Sequence, residues 1–468
     1  MRWLANVVYL LAGLLYLPVA LYHALIVGKN RRGWGQRFGN VPAYEPGRQR
    51  IWLHAVSLGE INATPRLVEA LRGRLPACEV VVSTTTDTGY ARAVQLYGAG
   101  NVFRFPLDFS PVVSRVLGRV RPQLIGLVEL EVWYNLTRMA TRRGIPVAVV
   151  NGRLTERSER RFRLLGAAGR SMFRHLAWVG AQDEAIAARF RSVGVQAERI
   201  EITSSLKWDT AIVADRIDGQ ESLAAAVGLD GTRPLWVCGS TGPGEEAMIL
   251  DAYRRVLDDP AALARGVQDE SEVESEFVLP LLAIVPRKPE RFAEVARLIE
   301  RAGFGCVRRS RCPDGGRRAV AERATVLLGD TMGELRKFYA LAAVVFVGRS
   351  LVPLGGSDPM EVAALGKPVV VGRYTGNFRH PVDALRAADA IRVVDGAAEL
   401  SVAVGAMLGN PSLARQLGAR AREVVVRHQG ATATTADRLV GLLVPPKGVP
   451  AGRGEEAATV TSAGAGRR

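Results

Sequence analysis

The stretch IWLHAVSLGE, residues 51–60, begins with apolar, β-favouring residues and ends in Ser57-x-x-Glu60. A helical run follows, with Ile61, Leu67, Val68 and Leu71 roughly on one face. Two chemistries fit. Ser57 and Glu60 can form a capping box, the glutamate reaching back to a cap amide. A glutamate at the carboxyl end of a strand, beside a glycine that lets substrate approach, can instead serve as a general base.

Other stretches carry chemistry of a compatible kind. LVELEVWYN (127–135) places Glu129 and Glu131 on one side of an extended segment, with Trp133 following, which suits a polar, sugar-binding rim. NGRLTERSERRFR (151–163) is dense in arginine; Arg153 and Arg157 fit a phosphate-bearing acceptor, anionic headgroups or simply a solvated helical face. In PRKPERF (286–292), Arg287 and Lys288 follow an apolar run and sit where a phosphate or carboxylate is gripped, or in a solvated basic turn. In GRSLVPLGGSDPMEVAALGKPVVVG (348–372), Gly355 and Gly356 lead into Ser357-Asp358-Pro359, a capping side chain with a proline suited to the first helical position. That is either an ordinary capped helix or a backbone anion site with Glu361 in reach of a ribose diol.

The elements needed to position these residues are also legible. From 51 to about 210, IWLHAV, CEVVVSTT, NVFRFPL, QLIGLVEL, PVAVVNG, LAWVGAQ and ERIEIT read as strands between helical runs. A second series, PLWVCGST, FVLPLLAIVP, GCVRRS, ATVLLGD, AVVFVGRS, KPVVVG and AIRVV, starts near 234. Strand–helix alternation predicts mainly parallel sheets with helices on both faces, hence an α/β fold of two Rossmann-like domains.

Composition sets the context. The formal net charge is +16, nearly all of it from arginine, which favours anionic partners. Cys78, Cys238, Cys306 and Cys312 lack metal-ligand spacing. GSTGPGEE (239–246) has Glu245 where a P-loop needs lysine, and no G-x-G-x-x-G follows a strand, so NTPase and nicotinamide sites are not expected. Basic residues are not interleaved with aromatics, so no nucleic acid is expected. Trp3 to Val27 is almost continuously apolar and is followed by Lys29, Arg31, Arg32 and Arg37, which predicts an N-terminal membrane anchor, spanning or interfacial, with the bulk of the chain cytoplasmic. The expected organisation is an anchor over 1–28, a basic connector over 29–50, an acceptor domain over 51–212, a donor domain with terminal helices over 213–443, and a disordered tail over 444–468.

HAVSLGE, VELEVWYN, NGRLTERS, GST, PRKPERF, GDTMGELRKFYA and GRSLVPLGGSDPMEVAALGKPVVVG occur in the order found in bacterial 3-deoxy-D-manno-octulosonic acid (Kdo) transferases of lipopolysaccharide synthesis, and RRGWGQRFG after the apolar segment is also similar. The resemblance runs to roughly residue 430. It implies a GT-B fold facing a cleft, CMP-Kdo as donor, a phosphorylated lipid A precursor (lipid IVA) as acceptor, inversion at the anomeric carbon, no cofactor or catalytic metal, and a place at the bacterial inner membrane. It also implies Glu60 as the catalytic base, and a donor site of Arg287, Gly333, Gly355, Gly356 and Glu361 with Ser240 and Thr241 nearby. Glu129 matches the acceptor-side acidic motif.

The sequence departs from that family's pattern at Lys288 and at Ser357-Asp358, where P-R-H and G-G-H-N are usual. It departs also at Gly242, for a histidine after G-S-T, and at Ser204-Ser205, for Gly-Asn before L-K. These fall on the donor side or at the domain junction. They keep open a related transferase with another activated sugar, or an inactive membrane-tethered binding protein.

Overall fold

The computed structural model describes residues 6, 7, 9–11, 15, 18, 32–259, 278–312 and 325–443. Most of the expected anchor, the first residues of the connector and the tail from 444 lie outside these. The described residues between 6 and 18 are helical, and the Asn6 side chain bonds Ser110 and Asn135. Among the described residues no helix is long and apolar enough to cross a membrane.

The chain forms two compact units, residues 1–203 with 433–468, and residues 204–432. The expected boundary at 212/213 therefore moves to Thr203/Ser204. The last helix, Ala431–Leu443, was expected in the second domain, yet from Ala433 onward it groups with the first unit. Ion pairs explain this: Arg74 holds Asp437 at 2.6 Å and Arg438 holds Glu201 at 2.6 Å.

The first unit contains β1 (Arg50–His54), β2 (Glu79–Thr84), β3 (Val102–Arg104), β4 (Leu124–Val128), β5 (Val147–Gly152), β6 (Trp178–Ala181) and β7 (Ile200–Ile202). They pair in parallel in the order β3-β2-β1-β4-β5-β6-β7. β1 is buried along its whole length, which is why it reads as a continuous apolar run rather than an alternating one.

The second unit contains β8 (Leu235–Thr241), β9 (Leu281–Pro286), β10 (Gly305–Arg308), β11 (Thr325–Leu328), β12 (Val344–Val347), β13 (Val369–Gly372) and β14 (Ile391–Val394). Their order is β10-β11-β9-β8-β12-β13-β14, again parallel. The strand period of two sends Val237, Ala283, Leu327, Val345 and Val371 into one core. Trp236, Leu282, Ile284, Val326, Phe346 and Val370 enter the core on the opposite face. Burial of each Val, Leu, Ile or Phe among these contributes about 1.5–3 kcal/mol.

Candidate active site

In the first unit the strand order reverses at β1, which lies between β2 and β4. Such a reversal opens a crevice at the carboxyl ends of the strands. Glu60 sits there. Ser57 caps the six-residue helix Leu58–Ala63 by accepting from the Glu60 N–H at 3.3 Å. The Glu60 carboxylate is held in return: Val56 N–H donates to Oε2 at 2.8 Å, and the Ser57 hydroxyl donates to Oε1 at 2.8 Å. The amide bound is Val56, one residue before the capping serine. Burial pushes the Glu60 carboxyl up, the Val56 and Ser57 bonds oppose this, and the charges of Glu129 and Glu131 push it further. Raised affinity for a proton is what a general base requires.

Those neighbours show that three carboxylates converge. Glu129 follows β4 with φ 64°, its N–H bonded to Val150 O at 2.9 Å. The expected extended arrangement of Glu129 and Glu131 is therefore corrected: a left-handed turn separates them, a conformation costly for a non-glycine residue and concentrated at functional sites. Asn151, at the end of the adjacent β5, is also left-handed, with φ 56°. Glu131 accepts from Trp133 Nε1 at 3.1 Å, and burial raises its carboxyl.

His54, the last residue of β1, was not singled out by sequence. It is fully buried and stacks on Phe105 with ring centroids 3.7 Å apart. Its Nδ1 lies 3.0 Å from Ser83 Oγ, its Nε2 has no hydrogen-bond partner, and Nε2 is 3.9 Å from Glu131 Oε2. Burial lowers its pKa to about 3, so the ring is neutral. Strand-end position in HAVSLGE was the available signal, but a lone histidine after an apolar run is usually core.

Arg153 and Arg157 are exposed and take part in no ion pair among the described residues. Arg160, Arg163 and Arg189 instead pair with Glu156 and Glu159. Arg153 is tied to the carboxylate cluster through its backbone, its N–H bonding Glu129 O at 3.3 Å.

In the second unit the order reverses at β8, between β9 and β12. Ser240, the next-to-last residue of β8, is left-handed, φ 56°, and hydrogen-bonds the buried Tyr339. The Thr241 hydroxyl donates to Glu246 Oε1 at 2.8 Å, and Glu246 is held bidentately by Arg291 at 2.5 and 3.0 Å. Glu245 accepts backbone N–H bonds from Gly242, Arg349, Ser350 and Leu351 at 2.5–2.9 Å. Glu245, at the position of the P-loop lysine, is thus held by one amide of its own loop and three of the segment 349–351. Thr241 and Glu246 likewise lock the loop.

Gly355 (φ 85°) and Gly356 (φ 81°) pack directly on the segment 374–377: a Cβ on Gly355 would meet Asn377 at 2.4 Å. The helix behind them is only the turn Met360–Ala363, with Pro359 in the cap position rather than the first helical one. Asp358 Oδ1 accepts from Met360 N–H at 2.8 Å. Burial and Glu361 push the Asp358 carboxyl up to about 7, against the pull of the Met360 amide, Lys207 and Arg287. Glu361 is raised by burial and lowered by Arg336 and Arg287. Arg287, Lys207, Arg336, Asp358, Glu361, Ser240 and Tyr339 therefore form one polar group at the carboxyl edge. Lys207 and Arg336 were not singled out from sequence. Lys288 is exposed, and Gly333 occupies a left-handed turn (φ 85°) before the helix Leu335–Leu341.

Comparison with known proteins places the chain in a family. Residues 32–210 match the family model described as 3-deoxy-D-manno-octulosonic-acid transferase (kdotransferase). A Bordetella pertussis 3-deoxy-D-manno-octulosonic acid transferase is 36% identical over 87% of this chain and 93% of its own. The Haemophilus influenzae enzyme of that name is 32% identical over 87% of this chain and 89% of its own. A UDP-GlcNAc 2-epimerase from Neisseria meningitidis shares the fold at TM-score 0.52 and 13% identity, over 84% of this chain and all of that one. Two parallel α/β units of this kind are the GT-B architecture of glycosyltransferases. The chain belongs to the Kdo transferase family and is a Kdo-transferring glycosyltransferase.

Proposed function

We propose that the enzyme transfers Kdo, with inversion, from CMP-Kdo to a phosphorylated lipid A precursor, lipid IVA, at the cytoplasmic face of the inner membrane, without a cofactor or catalytic metal. The observation that carries this reading is Glu60 at the strand-order reversal, bonded at both oxygens and surrounded by Glu129 and Glu131. Glu60 takes the proton of the acceptor hydroxyl as that oxygen attacks the anomeric carbon. The bond to the CMP phosphate breaks, and the departing phosphate gains negative charge. Arg287, with Lys207 and Lys288 near it in the second unit, meets that charge. Glu361 takes the ribose diol, and Ser240, Gly333, Gly355 and Gly356 shape the surrounding turns. Glu129, Glu131, Arg153 and Arg157 face the acceptor.

A transfer assay read by mass spectrometry, with Glu60→Gln alongside, tests this reading. Gain of Kdo by the acceptor, lost in the variant, supports it. Asp358 favours one second reading, an altered donor: a carboxyl beside Glu361 is an unusual neighbour for an anionic sugar. Competition between CMP-Kdo and other CMP- or UDP-sugars separates the two.

A further inference from the structure

We propose that a second site in the first unit, beside the Glu60 turn, seats a phosphate-bearing sugar headgroup; this deepens the acceptor reading above and rests on it. A cavity of ≈ 830 Å³ opens at the carboxyl ends of β2 and β3, lined among others by Arg32, Trp34, Gln36, Asp87, Tyr90 and Arg104. That volume accommodates a sugar phosphate.

Charge identifies the ligand class. Arg104 is 4% exposed, bonds Asp87 at 2.5 Å, and lies 4.3 Å from the Tyr90 ring centroid. Arg37 is 8% exposed; its Nη2 donates to Thr85 O at 2.7 Å and its buried Nε has no partner. Burial and the Arg104 charge both lower the Arg37 pKa. Of these two buried guanidiniums Arg104 lines the cavity and pairs with the partly exposed Asp87, while Arg37 lies behind the lining and feels Asp87 only through its charge. Arg32, exposed at the mouth, adds a third positive charge and takes part in no ion pair among the described residues. Buried cations are unfavourable without matching anions, so the surplus favours a dianionic phosphate over a neutral sugar. Asp87 opposes the ligand but is engaged by Arg104. Trp34, 44% exposed, and Tyr90 offer ring faces for a sugar.

Hydrogen bonds place the cavity next to the proton-accepting carboxylate. Asp87 follows Thr86, whose N–H and hydroxyl both bond Val56 O, at 3.3 and 3.1 Å. The N–H of that same Val56 holds Glu60 Oε2. Cavity wall and Glu60 hang from one residue, so a headgroup held by its phosphate presents a nearby hydroxyl to Glu60.

The test uses the full chain in detergent, with glucose 1-phosphate, glucose and phosphatidylglycerol vesicles as probes, and Arg32→Glu and Trp34→Ala as variants at exposed positions. Glucose 1-phosphate should bind and glucose should not. Arg32→Glu should weaken that binding about tenfold or more and raise KM for the phosphorylated lipid about tenfold, with KM for CMP-Kdo unchanged. Trp34→Ala should weaken glucose 1-phosphate binding severalfold. Unchanged binding in both variants would overturn the site. So would a loss confined to phosphatidylglycerol vesicles with normal KM for the dispersed lipid, which would make it a general membrane contact. A wild type that binds glucose 1-phosphate but transfers no Kdo would keep the site and reject the functional reading.

Discussion

The Val56 N–H and the Glu60 carboxylate are bonded at 2.8 Å across the turn from β1 into the helix Leu58–Ala63. One side chain therefore closes the turn and stands at the crevice. Glu60→Gln keeps an acceptor for Val56 but removes the base. It should lower kcat by about 10²–10⁴-fold and shift the melting temperature little, as measured by steady-state kinetics and thermal unfolding. A fall in stability matching the loss of activity would make the glutamate a cap only.

Activity should be lost toward acid. The base must be ionised, and burial with Glu129 and Glu131 raises the Glu60 carboxyl above its ordinary value. The acid limb of kcat/KM should accordingly lie above the usual glutamate range, and Glu129→Gln should move it down.

Asp358 gives a stability prediction of opposite sense. Its folded pKa, about 7, exceeds the unfolded value, so the folded state holds a proton that the unfolded state releases. Its contribution is present at low pH and lost as pH rises through about 7. Asp358→Asn should raise the melting temperature at pH 8, by a few degrees for a change of order 1 kcal/mol, by less at pH 5, and make little difference only below the ordinary carboxyl value of 3.8. Transfer activity should be intact or higher. A large loss of activity would give Asp358 a direct role.

His54 behaves in the reverse way. Its folded pKa is lowered to about 3, so below pH 6.5 the unfolded state takes a proton that the folded state does not. Its contribution is complete above pH 6.5 and declines as pH falls toward 3. Measured against His54→Gln, the wild type should lose relative stability between pH 7 and pH 5.

Arg287→Ala should raise KM for the donor about tenfold or more, because Arg287 faces Asp358 and Glu361 at the β9 end. Lys288→Ala, at an equally exposed neighbour that is not among the charges acting on Asp358 or Glu361, should change it less than about threefold. Equal effects would displace the phosphate site from Arg287.

The sheets were legible because buried parallel strands are unbroken apolar runs between helical periods. IWLHAV and AVVFVG left little doubt about their element type. The convergence of Glu60 with Glu129 was not, since it depends on β4 lying beside β1 and on a left-handed turn that no local pattern demands. Glu245 was read only as a missing lysine; its four backbone partners come from two separate segments. Lys207 approaches Asp358 across some 150 residues of sequence, beyond any spacing rule.

The most direct measurement is Kdo transfer to lipid IVA by detergent-solubilised wild type and Glu60→Gln, with CMP-Kdo made in situ and the product weighed by mass spectrometry. The account predicts a gain of at least one Kdo with the wild type and none with the variant at matched protein and time. Equal gain by both proteins would contradict Glu60 as the base, and no gain by the wild type with donor intact would contradict the proposed reaction.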